Sequence, residues 1–174
     1  MPCDSGMAFV LVQHLAPDHV SMLVELLSKS TCMQVNQAQD GMEIVANQVY
    51  IIPPNATLTI EKAHLVVTSP APPRHLRHPI DTFFYSLAQD QGGNAVCIVL
   101  SGTGSDGSLG LMAVKEEGGI TFAEAEFDHS AKNGMPKSAQ DTGLVDHVLQ
   151  VEDIPAKLME YQQYLKKVQP NIVL

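Results

Sequence analysis

The run Ala95-Val-Cys-Ile-Val-Leu100-Ser-Gly-Thr-Gly-Ser-Asp-Gly-Ser-Leu-Gly110 decides the fold class. Its first half is unbroken and apolar, which predicts a strand buried on both faces, as inside a parallel sheet. Gly102, Gly104 and Gly107 then allow a sharp turn and bring backbone N–H groups close to a ligand. A helix is expected next, with Leu109, Met112 and Ala113 on one face and Gly118-Gly119 as its stop. Chemistry in open α/β sheets collects at the carboxyl ends of strands, so Asp106 stands where a functional carboxylate would. An aspartate in such a turn could equally cap the helix that follows. The loop could also cradle a phosphate, but the chain has no G-x-x-x-x-G-K-[ST] loop, and nucleotide binding is the minor reading.

A second strand ends the same way. Ala8-Phe-Val-Leu-Val12 is apolar throughout, and Gln13-His14 follow where it leaves the sheet. Asp18 can cap a helix whose Val20, Leu23, Val24 and Leu27 form a core-facing stripe. His14 and Asp106 are therefore two titratable groups, each at the carboxyl end of a strand that feeds a helix. Those are the second and third parts of a Ser/His/Asp constellation, which is recognised by roles rather than by order in the chain. A strand-end histidine bonded to a carbonyl is the plainer alternative.

Composition narrows the classes. A chain of 174 residues, 45% of them hydrophobic, suits one domain with a sizeable core. A net charge of −9 argues against nucleic acid and against anionic membrane surfaces, and no apolar run has the length of a membrane span. Cys3, Cys32 and Cys97 are odd in number and unpatterned, which suits a reducing, cytoplasmic setting and gives no hint of zinc. His75 and His78 sit just before Pro79 and read as having no neighbouring carboxylate or cysteine, so no metal site is expected there, and no cofactor.

Strand and helix alternate along the rest. Gln34-Val35-Asn36 is extended, Asp40-Gly41 turns, and Gln48 to Ile52 is a strand stopped by Pro53-Pro54. Thr57 to Ile60 and His64 to Thr68 read as an antiparallel hairpin. Pro79 opens a helix with Ile80, Phe83, Phe84, Leu87 and Ala88 at helical period. Residues 119–123 form another buried strand, a short helix follows Asn133-Gly134-Met135-Pro136, and residues 144–149 give a last strand. Asp153 caps a terminal helix with Ile154, Leu158, Tyr161 and Leu165 inward. The class is α/β, three-layer, with a mainly parallel sheet flanked by helices and one antiparallel hairpin.

Several motifs now agree in order and spacing: Val12-Gln13-His14-Leu15, Asp40-Gly41, Val49-Tyr50-Ile51-Ile52-Pro53-Pro54-Asn55, His78-Pro79-Ile80-Asp81, the loop at residues 100–110, and Gly134-Met135-Pro136. Together they resemble the catalytic domain of the chemotaxis receptor methylesterases, the CheB-type protein-glutamate methylesterases. The wording of the glycine loop and of Ile52-Pro-Pro-Asn55 is closest to the branch fused to a methyltransferase domain. The resemblance implies a cytoplasmic hydrolase of glutamyl methyl esters on chemoreceptor-type helices that also deamidates certain glutamines. It implies His14 as general base, Asp106 as the carboxylate that orients it, and the backbone N–H of Thr103, between Gly102 and Gly104, as half of an oxyanion hole. A methyltransferase domain, fused or separate, is an implied partner. The acidic charge would repel glutamate-rich helices at long range, with Lys132 and Lys137 as local basic residues near the site.

The family's nucleophile sits in a Gly-x-Ser-x-Gly-Gly loop that would precede the first residue here, so residues 1–174 are expected to be one domain truncated at its N-terminus and inactive without that serine. Ser5 cannot stand in. It precedes the strand that ends at His14, nine residues further on, or about 30 Å at roughly 3.3 Å per residue. The absent strand is expected to leave apolar sheet uncovered and favour self-association. The alternative reading is a non-enzymatic remnant that binds a receptor or partner domain.

Overall fold

The computed structural model describes residues 1–14, 22–71, 73, 77–125 and 134–168; Asp18, Val20, His75 and Lys132 lie outside them. Three strands, β1 (Phe9–Leu11), β2 (Gln34–Gln37) and β4 (Gln48–Ile51), make a parallel sheet in the order β1-β4-β2, with Phe9 and Val35 both in register with Val49. Three more, β7 (Val96–Val99), β8 (Ile120–Glu124) and β9 (His147–Leu149), make a second parallel sheet in the order β7-β8-β9. Helices α1 (Leu23–Ser28), α2 (Pro79–Gln91), α3 (Gly110–Glu116), α4 (Gly134–Asp141) and α5 (Ile154–Val168) flank them. The fold is α/β with mainly parallel strands.

The hairpin is present as β5 (Thr57–Glu61) and β6 (His64–Thr68), turned at Lys62 and Ala63, both with left-handed φ of 52° and 58° as a two-residue hairpin requires. A short β3 (Met42–Glu43) adds to it, giving an antiparallel sheet in the order β3-β6-β5. The Asp40-Gly41 turn makes this addition: Asp40 Oδ1 accepts the Val67 N–H at 3.0 Å and the Gly41 N–H donates to the Leu65 carbonyl at 2.9 Å.

Strand alternation divides the apolar residues between two faces. Val10, Tyr50, Cys97, Val99 and Ala123 pack with Ile80, Phe83 and Phe84 of α2, Leu111 and Val114 of α3, and Met135 and Ala139 of α4. Phe9, Val96, Ile98, Ile120 and Phe122 pack with Ile154 and Leu158 of α5. Both β1 and β7 contribute to both clusters, so the two parallel sheets share one pair of faces.

Three expectations are corrected. The strand before the glycine loop is buried on one face only: Cys97 and Val99 are buried while Val96 and Ile98 are half-buried, because β7 is the outer strand of its sheet among the described residues. Helix α3 packs by the opposite face to the one expected. Gly110, Leu111 and Val114 are buried, while Leu109 and Met112 stand 64% and 53% exposed. Gly110 permits this, since a Cβ there would lie 2.6 Å from the Phe84 Cβ and 3.2 Å from the Asp81 backbone. Helix α1 has no fully buried residue; Leu23, Val24 and Leu27 are half-buried where it packs on β2.

The cysteines are not three separate thiols. Cys3 and Cys32 form a disulfide with their Cα atoms 5.5 Å apart, and Cys97 is a buried free thiol whose pKa burial pushes well up. No helix among the described residues is long and apolar enough to cross a membrane.

Candidate active site

His14 follows β1, and Asp106 lies in the loop between β7 and α3; the structure brings them together with Nε2 of the imidazole 2.9 Å from Oδ2 of the carboxylate. The two differ in exposure. The His14 side chain is 48% exposed and that of Asp106 is 6% exposed. A buried carboxylate needs hydrogen bonds in place of water. Asp106 has them: Oδ2 accepts the Ile80 N–H at 3.1 Å, and Oδ1 accepts the N–H of Asp81 and of Gly107, both at 3.0 Å.

Two of those donors are in the first turn of α2, where N–H groups have no partner within the helix and the helix dipole favours an anion. Pro79 opens that turn and presets its backbone. The carboxylate therefore fastens α2 to the glycine loop. It does not cap its own helix, as α3 has Leu109 at its N-cap with no side-chain bond. With Nε2 directed at Asp106, the tautomer that donates from Nε2 leaves the Nδ1 lone pair as the proton acceptor.

Sequence reasoning missed Asp81. Its side chain is buried, its Oδ1 accepts the Gly110 N–H at 2.8 Å, and one ligand atom each from His78, Asp81 and Asp106 lies within 4.8 Å of the others. Burial raises the Asp81 pKa first, and the Asp106 carboxylate beside it raises it further, against the opposing N–H groups of Gly110 and Gly107. Asp81 is three residues past His78, so the reading that no carboxylate neighbours that histidine is corrected. A helical spacing of three was the available signal.

The glycine loop is held from outside. The Gly102 carbonyl accepts the Met135 N–H at 3.0 Å and the Gly104 carbonyl accepts the Ser138 hydroxyl at 3.3 Å, both from α4. A Cβ on Gly102 would fall 2.4 Å from the Met135 sulfur, and one on Gly134 would fall 3.1 Å from the Gly104 nitrogen. Thr103, between those anchored carbonyls, is exposed.

No serine among the described residues is bonded to His14. Ser5 is fully buried before β1, its hydroxyl accepting the Met7 N–H at 3.3 Å. Ser101 is held by Glu124, which accepts from both its N–H and its hydroxyl, and Ser105 is exposed in the loop. Lys137, expected near the site, is paired with Asp141 one turn along α4 at 2.6 Å.

Compared with known proteins, residues 1–158 match the family model described as CheB methylesterase. The chain is 32% identical over 162 residues to a protein-glutamate methylesterase/protein-glutamine glutaminase of Shewanella sp. strain MR-4, covering 91% of this chain and 46% of that protein. It is 42% identical over 139 residues to an uncharacterized 104.1 kDa protein of Rhodobacter capsulatus, covering 80% of this chain and only 14% of that one. Its fold superposes on the crystal structure of the Thermotoga maritima CheB methylesterase catalytic domain with a TM-score of 0.80 at 28% identity, over 92% of this chain and 87% of that chain. It thus spans less than half the length of these curated relatives. The chain belongs to the CheB methylesterase family.

Proposed function

We propose that this domain supplies the base and its orienting carboxylate to a serine esterase acting on glutamyl methyl esters, and on glutamine amides, of chemoreceptor-type proteins. The observation that carries the reading is the 2.9 Å pair between exposed His14 and buried Asp106. His14 takes the proton of an attacking serine hydroxyl at Nδ1, Asp106 stabilises the resulting imidazolium, and the Thr103 N–H meets the oxyanion of the tetrahedral intermediate. The imidazolium gives that proton to the departing methoxide oxygen, released as methanol, or to the departing amide nitrogen, released as ammonia, and water activated by the same base then hydrolyses the glutamyl-serine ester to free glutamate and serine. Residues 1–174 act as one domain, and the attacking hydroxyl is that of a serine in a Gly-x-Ser-x-Gly-Gly loop of the kind the family carries. A methyltransferase domain, fused or separate, would supply the methylated substrate.

The test is methanol release from methylated receptor by two proteins, residues 1–174 and the same chain joined to a family member's Gly-x-Ser-x-Gly-Gly loop with the strand before it and the helix after it. The short chain is expected to stay at background, since losing a triad nucleophile removes about 10⁶-fold in turnover. The extended chain is expected to release methanol, and His14→Ala is expected to abolish it. Release by the short chain would place the nucleophile elsewhere. Silence of an extended chain that still binds receptor would favour a non-enzymatic binding module.

A further inference from the structure

The loop at residues 100–110 has to present a backbone N–H at a fixed point, yet its own sequence gives it little stiffness. Gly104 holds a left-handed φ of 97°, and a Cβ there would meet nothing within 4 Å. A glycine in so open a place leaves the backbone free to abandon that geometry, so the loop must be held by its neighbours. We propose that Glu124 is a positioning residue of the oxyanion site: its carboxylate clamps Ser101 and so fixes the aim of the Thr103 N–H two residues on. The proposal rests on the esterase reading above and adds the residue that stiffens its loop.

Strand register puts Glu124 in place. Strands β7 and β8 run parallel, and their last pair is Val99 with Ala123. There β7 stops and the loop departs through Leu100, while β8 runs one residue further, to Glu124, which is still paired with Leu149 of β9. The half-buried Glu124 accepts both donors of Ser101 at Oε2, the N–H at 2.6 Å and the hydroxyl beside it. Main chain and side chain of Ser101 are thus fixed about one oxygen. Hydrogen bonds to an ionised acceptor are roughly twice as strong as neutral ones.

The clamp complements the hold from α4. There the Gly102 carbonyl accepts the Met135 N–H and the Gly104 carbonyl accepts the Ser138 hydroxyl, two neutral bonds that reach the loop from one helix. Glu124 adds a charged bond from the sheet, and its own carbonyl accepts Nε2 of Gln140 in α4 at 3.2 Å. One residue therefore joins strand, loop and helix, and rigid elements hold a site more closely than loops do. The clamp also occupies the Ser101 N–H, which leaves the N–H groups further along the loop, Thr103 among them, to meet an oxyanion.

The experiment has two arms. In the 174-residue chain, 15N relaxation reads the order of the Gly102, Thr103 and Gly104 amides. The parent is expected near the rigid value of about 0.85 and Glu124→Ala below about 0.6, with the core strands unchanged. Glu124→Gln keeps an oxygen for the Ser101 N–H and is expected to stay close to the parent. In the extended chain that carries a family member's serine loop, methanol release gives kcat and KM separately. Losing one oxyanion donor lowers kcat by about 10²–10³. A donor still present but loosely aimed should lose less, so Glu124→Ala is expected to lower kcat about 10- to 100-fold with KM within about twofold. Glu124→Gln should recover most of that loss. Order parameters that stay at the parent's values in Glu124→Ala overturn the clamp. If that variant does not fold, Ser101→Ala is expected to loosen the loop part-way, and a loop as rigid as the parent's overturns the clamp instead. An unchanged kcat, or a loss confined to KM, overturns the positioning role and leaves the esterase reading standing. An extended parent that releases no methanol overturns the esterase reading itself, and the proposal with it.

Discussion

Asp81 contributes to the site twice, through its backbone N–H, which donates to Asp106, and through a carboxyl that accepts the Gly110 N–H. Its raised pKa has a consequence for stability. A carboxyl that holds its proton more tightly when folded stabilises most at pH below the ordinary aspartate value of about 3.9, and that contribution is lost as pH rises through the folded value. Asparagine keeps an oxygen for Gly110 and offers an N–H toward Asp106. Asp81→Asn is therefore expected to gain stability relative to the parent as pH rises above about 4, by up to about 1.4 kcal/mol for each pH unit of that window. Urea unfolding of both proteins between pH 4 and 7 measures it, and a difference that does not vary with pH would refute the raised pKa. His14 and Asp106 were legible in the sequence because each follows an apolar strand at a point where α/β folds place chemistry. The carboxyl contact of Asp81 was not, since it is made to Gly110, 29 residues further along, and no local pattern connects the two.

Helix α3 shows where periodicity misleads at the scale of an element. Leu109 and Met112 are larger and more apolar than Gly110, so a hydrophobic stripe points to the wrong face. What decides the packing is closeness: α2 and α3 meet at a glycine, and the small residue is the buried one. Alanine has the better helix propensity by about 1 kcal/mol. Gly110→Ala is nevertheless expected to destabilise by about 1–3 kcal/mol, because its Cβ meets Phe84 and the Asp81 backbone and must shift α2 away from Asp106. Met112→Ala, on the exposed face, should change stability by less than about 0.5 kcal/mol. Chemical denaturation of the two variants would have to give the reverse order to restore the expected face. The strands and α2 were legible for the opposite reason. Their apolar residues are also their buried ones, as Ile80, Phe83 and Phe84 illustrate.

Across the whole molecule, the sheets were foreseen as one and are found as two parallel sets, with β1 and β7 at the ends of their strand orders. A sequence pattern shows which segments are extended, but strand pairing is a long-range choice that local periodicity does not encode. The arrangement makes a prediction for amide exchange. Strands β4 and β8 are bonded on both sides and should exchange slowest, whereas β1 and β7, bonded on one side among the described residues, should exchange faster by an order of magnitude or more. Uniform protection across β1, β4, β7 and β8, read by hydrogen exchange with mass spectrometry or NMR, would contradict this pairing. The disulfide bears on how the protein can be handled. Cys3 precedes β1 and Cys32 precedes β2, so the bridge ties the chain's first residues to the amino ends of parallel strands whose other end leads to His14. A molecule anchored to a sensor chip or bead through residue 1 would stand with its imidazole turned away from the support, leaving the rim that holds His14 and Asp106 open to a large partner in solution.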